Sequence, residues 1–190
     1  MIAAIVLAIP ASVIGAIYPE NTWLQVGPVA ILFVPAILAL RRWPVSNASA
    51  LCFTLFVLIH LIAARWSYSY VPYREWIGQA VEVGTDRNMF DRLVHFLFGL
   101  LAIMPITEVG VRYGGLSKRV SLTGAVLFVL AIGGLYEIFE WSLTLLLAPQ
   151  DAGAYNGEQG DIFDSQKDMA MAALGAALAL WPATGTLTKH

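Results

Sequence analysis

The sequence predicts an all-α polytopic membrane protein, a bundle of about six transmembrane helices with both termini cytoplasmic. Three observations carry this prediction. The chain of 190 residues is 58% hydrophobic and 13% charged, against roughly 45–50% and about 25% in an ordinary soluble domain. Its apolar residues fall into six runs, each near the ~20 residues a helix needs to cross a bilayer. Lys and Arg are densest in two very short connections, Arg41–Arg42 and Arg112–Arg119. The same composition excludes disorder, a disulfide scaffold and a nucleic-acid-binding domain. A formal net charge of -2 leaves no basic surface for phosphate backbones. Cys52 is alone and cannot pair within the chain.

The first run, residues 2–17, contains Pro10 and has no Lys or Arg before it, so it reads as a short span rather than a signal peptide. The second, 23–40, carries Pro28 and Pro35, which kink a span whose neighbours satisfy the freed carbonyls. The third, fourth and fifth cover 48–64, 93–111 and 120–148. The sixth covers 162–182, with its helix starting near Asp161. Between the third and fourth, residues 65–92 read as a surface segment, because Trp66, Tyr68, Tyr70, Tyr73 and Trp76 favour the membrane–water interface. A short helix is expected in its later part. Residues 149–160 are rich in Gly, Asp, Asn and Gln and read as a loop. With no internal repeat, residues 1–190 are expected to form a single transmembrane domain. Arg41, Arg42, Arg112, Lys118, Arg119 and Lys189 share one side, and their density makes that side cytoplasmic.

Ionisable side chains within a span are costly and mark function. Here they are His60, His95, Glu108, Glu137, Glu140 and Asp168. Glu108 lies four residues before Arg112 and reads as an interfacial ion pair. The others converge on the outer side. Asp91 and His95 are i and i+4; Glu137 and Glu140 are i and i+3; Asp161, Asp164 and Asp168 share one helical face. Small or polar residues continue these faces: Gly99 and Ala102, Gly133 and Thr144, and Ala172, Gly175 and Ala179. Small residues let helices approach closely, so these faces should be inward.

Carboxylates packed this closely cannot all stay ionised unaided. A cation, protons or basic partners must balance them, and the nearby bases Arg65, Arg92 and Lys167 are too few to pair every acid. The sharper reading is a divalent metal ion (Zn, Mg, Mn or Fe), because oxygen ligands with one or two imidazoles suit these better than Cu(I). The candidate ligands are His60, His95, Glu137, Glu140, Asp161, Asp164 and Asp168. Some of these residues have a plainer alternative: Asp161 as a helix cap, Asp164 as a first-turn acid and His60 as a hydrogen-bonded core histidine, with neighbouring Asp91 likewise a helix cap, whereas Glu137 and Glu140 would need buried partners for a structural role.

The segments Asp91-Arg-Leu-Val-His95-Phe-Leu-Phe-Gly99, Tyr136-Glu-Ile-Phe-Glu140-Trp141 and Gly157-Glu-Gln-Gly-Asp161-Ile-Phe-Asp164-Ser-Gln-Lys-Asp168-Met169 resemble the YjdF family of bacterial inner membrane proteins. In the third segment Glu158 and Phe163 stand where that family's pattern has Thr and Trp. His60 and the stretch Tyr68-Ser-Tyr-Val-Pro72 resemble the family as well. The resemblance implies a multi-pass protein of the bacterial cytoplasmic membrane and supplies no activity. A more distant likeness, in spacing alone, is to VanZ-like membrane proteins.

Three functions compete. The first is a metal-dependent hydrolase or transferase acting on a lipid or lipid-linked substrate, with Glu137 as catalytic general base. Arg92 and Lys167 would hold a phosphate, and Asp91 completes the candidate substrate-binding set. The second is a proton- or cation-coupled transporter. The third is a metal-stabilised structural or partner-binding protein. Membrane lipids are the expected partners, and nucleic acid is not.

Overall fold

The computed structural model describes residues 1–77, 87–146 and 158–186. Among the described residues there are seven helices and no strand: α1 (Ile2–Val13), α2 (Pro19–Arg42), α3 (Asn47–Arg65), α4 (Tyr73–Ile77), α5 (Phe90–Arg112), α6 (Lys118–Leu146) and α7 (Asp164–Thr186). Helices α2, α3, α5 and α6 are each long and apolar enough to cross a membrane. Helix α7, at 23 residues, has the length to do so.

The first span is shorter than the sequence suggests. Helix α1 has 12 residues, about 18 Å at 1.5 Å per residue, against a hydrocarbon core of about 30 Å. The chain turns at Gly15, where φ is +72°. Arg65 then donates to the carbonyls of Ala11 and Ile14, two groups that a helix end leaves without partners. Pro19 opens α2 at a position where its missing N–H is not needed. The surface segment differs too. Its short helix, α4, lies in the early part, and residues 78–86 of the expected later helix lie outside the described residues. Most of the expected 149–160 loop also lies outside them.

The helices pack as two groups. Ile5, Val26, Val57 and Leu61 join α1, α2 and α3. Ile103, Ala125, Val129, Ala172 and Ala176 join α5, α6 and α7. Contacts of α3 with α5 tie the groups together. The closest approach is between α5 and α7. A Cβ on Gly99 would sit 2.0 Å from the Ala172 carbonyl oxygen, and one on Gly175 would sit 2.0 Å from that of Phe96. The two backbones therefore touch, as the small-residue faces of these helices anticipate. Gly133 departs from that expectation, because a Cβ there would meet nothing within 4 Å. Thr144 is exposed and bonds its own helix at Trp141.

At one end, the two short basic connections meet. The Tyr113 hydroxyl donates to the Pro44 carbonyl at 2.5 Å. Glu108 accepts from the Ser46 N–H and hydroxyl, each at 2.7 Å, from the Ser49 hydroxyl at 2.5 Å, and from Arg112 at 2.5 Å. Glu108 is thus an ion pair, as its spacing from Arg112 predicts, and also the anchor of the α3 N-terminus. The acidic residues gather at the opposite end.

Candidate functional site

The acids and bases at that end form two layers. The outer layer is an ion-pair clasp between the start of α5 and the turn entering α7. Arg87 donates to Asp91 at 2.6 Å, to Asp164 and to the Glu158 carbonyl. Arg92 donates to Asp161 at 2.5 Å and to Asp164 at 3.2 Å. Lys167 reaches both Asp161 oxygens, at 2.9 and 2.6 Å. Asn88 and Gln159 add a reciprocal pair: the Asn88 N–H donates to Gln159 Oε1 at 2.8 Å, and Gln159 Nε2 donates to the Asn88 carbonyl at 3.1 Å. The turn requires positive φ at Gln159 and Gly160, and the Phe163 N–H closes it on Asp161 Oδ1 at 3.1 Å. Lys167 and Arg92 hold the Asp161 carboxyl well below the usual carboxylate range. Burial opposes the charge on Arg87, but Asp164 and Asp91 outweigh it and hold the guanidinium above its ordinary pKa.

The inner layer lies one turn deeper. His95 on α5, Glu137 on α6 and Asp168 on α7 each offer one ligand atom, and all three atoms lie within 4.8 Å of one another. His95 Nε2 stands 3.6 Å from Glu137 Oε1, beyond a hydrogen bond. Glu137 and Asp168 are 6% and 4% exposed. Among the described residues, Glu137 Oε1 and Asp168 Oδ1 have no hydrogen-bond partner. The nearest base to Asp168 is Arg92 Nε, at 3.9 Å. Ser165 reaches Glu137, and half-buried Glu140 stands near Glu137 and Asp168 with Tyr136 beside it. Buried polar atoms nearly always find partners, so two orphaned carboxylate oxygens facing one imidazole need an explanation.

The chain as a whole has relatives. A family described as "Predicted membrane protein (DUF2238)" matches residues 1–189. The chain belongs to the DUF2238 family. Inner membrane protein YjdF of Escherichia coli (strain K12) is 34% identical over 165 residues, covering 84% of this chain and 76% of that protein. The likeness carried by the three acidic segments thus extends over most of the sequence. No solved structure matches. With its apolar helices, this DUF2238 chain is a multi-pass protein of the bacterial inner membrane.

Several expectations change in this DUF2238 fold. Asp161 and Asp164, expected as metal ligands, are ion-paired with Arg92, Lys167 and Arg87, although Asp164 also offers a ligand atom within 4.8 Å of those of Asp91 and Asp168. Arg92 and Lys167, expected to hold a phosphate, are committed to those acids, and Asp91 is committed to Arg87. His60 does not join the acids. Its Nε2 donates to the Gln25 carbonyl at 3.1 Å, which leaves Nδ1 to accept from the Tyr68 hydroxyl at 2.5 Å. Arg65, counted among the nearby bases, closes α1 instead. His95, Glu137, Asp168 and Glu140 are brought together. The sequence reading overlooked Arg87, although its i, i+4 spacing to Asp91 was a usable signal. It also overlooked Ser165 and Gln25, which carry no signal at that level.

Proposed function

We propose that this integral membrane protein is a metal-dependent enzyme, a hydrolase or transferase working on a lipid or lipid-linked substrate at the outer face of the inner membrane. His95, Glu137 and Asp168 would hold one divalent cation. The observation that carries this reading is the pair of buried oxygens, Glu137 Oε1 and Asp168 Oδ1, left without partners beside an imidazole. Two carboxylates and one imidazole suit Zn, Mn, Fe or Mg. Such an ion, when bound, polarises a phosphoryl or carbonyl oxygen and lowers the pKa of water. Glu140, outside the ligand trio but beside it, is the carboxylate left to take a proton as general base. Glu137, the base expected from the sequence, serves here as a ligand. The outer clasp would fix the ends of α5 and α7, and hence the His95–Asp168 separation. Transport is less well supported, because a path inward would cross the apolar seam of Ile103, Val129, Ala172 and Ala176 under the trio.

The test is elemental analysis of the full chain purified without chelator, beside Glu137→Gln and Asp168→Asn. The expected result is about one equivalent of one divalent metal per chain, lost in both variants while the helical circular dichroism persists. Metal-free wild-type protein, or metal retained by both variants, would overturn the proposal.

A further inference from the structure

An apolar cavity of about 570 Å³ lies beside the trio, bounded mainly by α2, α3, α5 and α6. Its volume is that of a pocket for one ligand, within the usual ~300–1,000 Å³. Helix α2 packs on α1 and α3 and makes no comparable packing with α5 or α6 among the described residues. The cavity is the gap this leaves. The lining residues Leu24, Leu32, Phe53 and Phe139 are themselves exposed, so the gap is open at the bundle surface and not enclosed. In a membrane-spanning bundle those side chains face hydrocarbon, so the gap opens towards acyl chains.

Five polar side chains interrupt the apolar lining: His60 and Tyr68, which bond each other, Tyr136, which packs edge-on against the His95 ring, and His95 and Gln25 themselves. His95 faces the cavity from the metal trio. Gln25 lines it from α2, 4% exposed, and among the described residues both polar atoms of its buried carboxamide lack a hydrogen-bond partner. The Gln25 backbone is fixed by His60, whose Nε2 donates to its carbonyl at 3.1 Å. A buried amide without partners is costly unless something else supplies them. A carboxamide offers two N–H donors and a carbonyl acceptor. That set fits an acyl ester or amide carbonyl, or a hydroxyl close to it.

We infer that this cavity binds the acyl chain of a membrane lipid, entering between α2 and α6, with the lipid's carbonyl or hydroxyl group hydrogen-bonded to Gln25. This inference names the substrate class of the proposed metal site and rests on that reading for the chemistry, though not for the binding. It places an acyl linkage in a cavity that His95 also lines.

The experiment uses the full chain reconstituted in phosphatidylcholine vesicles containing a small fraction of phosphatidylcholine with a diazirine midway along one acyl chain. After illumination, the labelled peptides are mapped by mass spectrometry. Labelling is expected to concentrate on cavity-lining positions of α2, α3 and α6. Gly133→Leu should abolish that concentration, since a Cβ at Gly133 meets nothing within 4 Å and the side chain would fill the cavity. Gln25→Leu should weaken it roughly tenfold, the effect of one lost buried hydrogen bond. Uniform labelling of all lipid-facing helices, unchanged by Gly133→Leu, would overturn the inference. So would a Gly133→Leu effect accompanied by loss of an oligomer, which would make a second copy of the chain the occupant. Metal content measured on the same samples separates the two readings. Cavity labelling without metal leaves lipid binding standing and removes the enzyme reading, and metal without cavity labelling does the reverse.

Discussion

Glu108 and Arg87 do the same job at opposite ends of α5: each ionic side chain joins an i, i+4 partner to groups distant in sequence. Glu108 is 3% exposed and accepts from four donors. Glu108→Gln keeps the size but loses the charge-assisted bonds, and should destabilise the protein by about 2 kcal/mol. A lower melting temperature in detergent, with metal content unchanged, is the expected outcome. Arg87 bridges two buried carboxylates and a carbonyl. Arg87→Ala leaves Asp91 without a basic partner among the described residues and should cost about 3 kcal/mol. Arg87→Lys should recover only part of this, because an ammonium cannot span the three acceptors as a guanidinium fork does. Comparing the two variants by thermal unfolding checks the point.

The α5–α7 pair is set by backbone contact. Gly99→Ala or Gly175→Ala puts a methyl group 2.0 Å from a carbonyl oxygen of the facing helix. Either variant must push the helices apart, separating His95 from Asp168. The expected result is loss of the α5–α7 seam, measured as a lowered melting temperature together with loss of the metal proposed for the trio. A variant that melted like wild type would contradict the seam. The clasp above it responds to pH in a defined sense. Asp161 is held below the usual carboxylate range by Lys167 and Arg92. Its stabilising contribution is therefore fully present above the unfolded value of about 3.9, and is lost as pH falls through the depressed native value. The melting-temperature difference between wild type and Asp161→Asn should stay constant between about pH 7 and pH 5 and shrink only in stronger acid. Because Lys167 is half-exposed, added salt should reduce the difference.

For the bundle as a whole, both short basic connections lie at one end, joined through Tyr113 to Pro44 and Glu108 to Ser46. The density of Lys and Arg there predicts a cytoplasmic position for that end and an outer position for the acidic site. Single cysteines introduced at Arg42 and Ser117, in the Cys52→Ala background, should resist a membrane-impermeant maleimide in intact cells and react after lysis. A cysteine at Glu158 should react in both. The opposite pattern would invert the proposed topology.

The membrane class, the long spans and the collection of acids at one end were legible in the residue order. Each depends on local properties: apolar run length, helical spacing and the cost of charge in hydrocarbon. Asp91 with His95, and Asp164 with Asp168, share faces because the helix period requires it. Folding alone settled which acids keep basic partners. Arg87 and Arg92 hydrogen-bond Asp91, Asp161 and Asp164, whereas Arg92 approaches Asp168 only to 3.9 Å, without a hydrogen bond. His60 and His95 look alike along the chain, yet one is consumed by Gln25 and Tyr68 and the other faces the acids. Ion pairing, orphaned oxygens and the cavity beside Gln25 are properties of distances between helices. Those distances follow from backbone contact at Gly99 and Gly175 and from the gap left beside α2, which no single segment encodes.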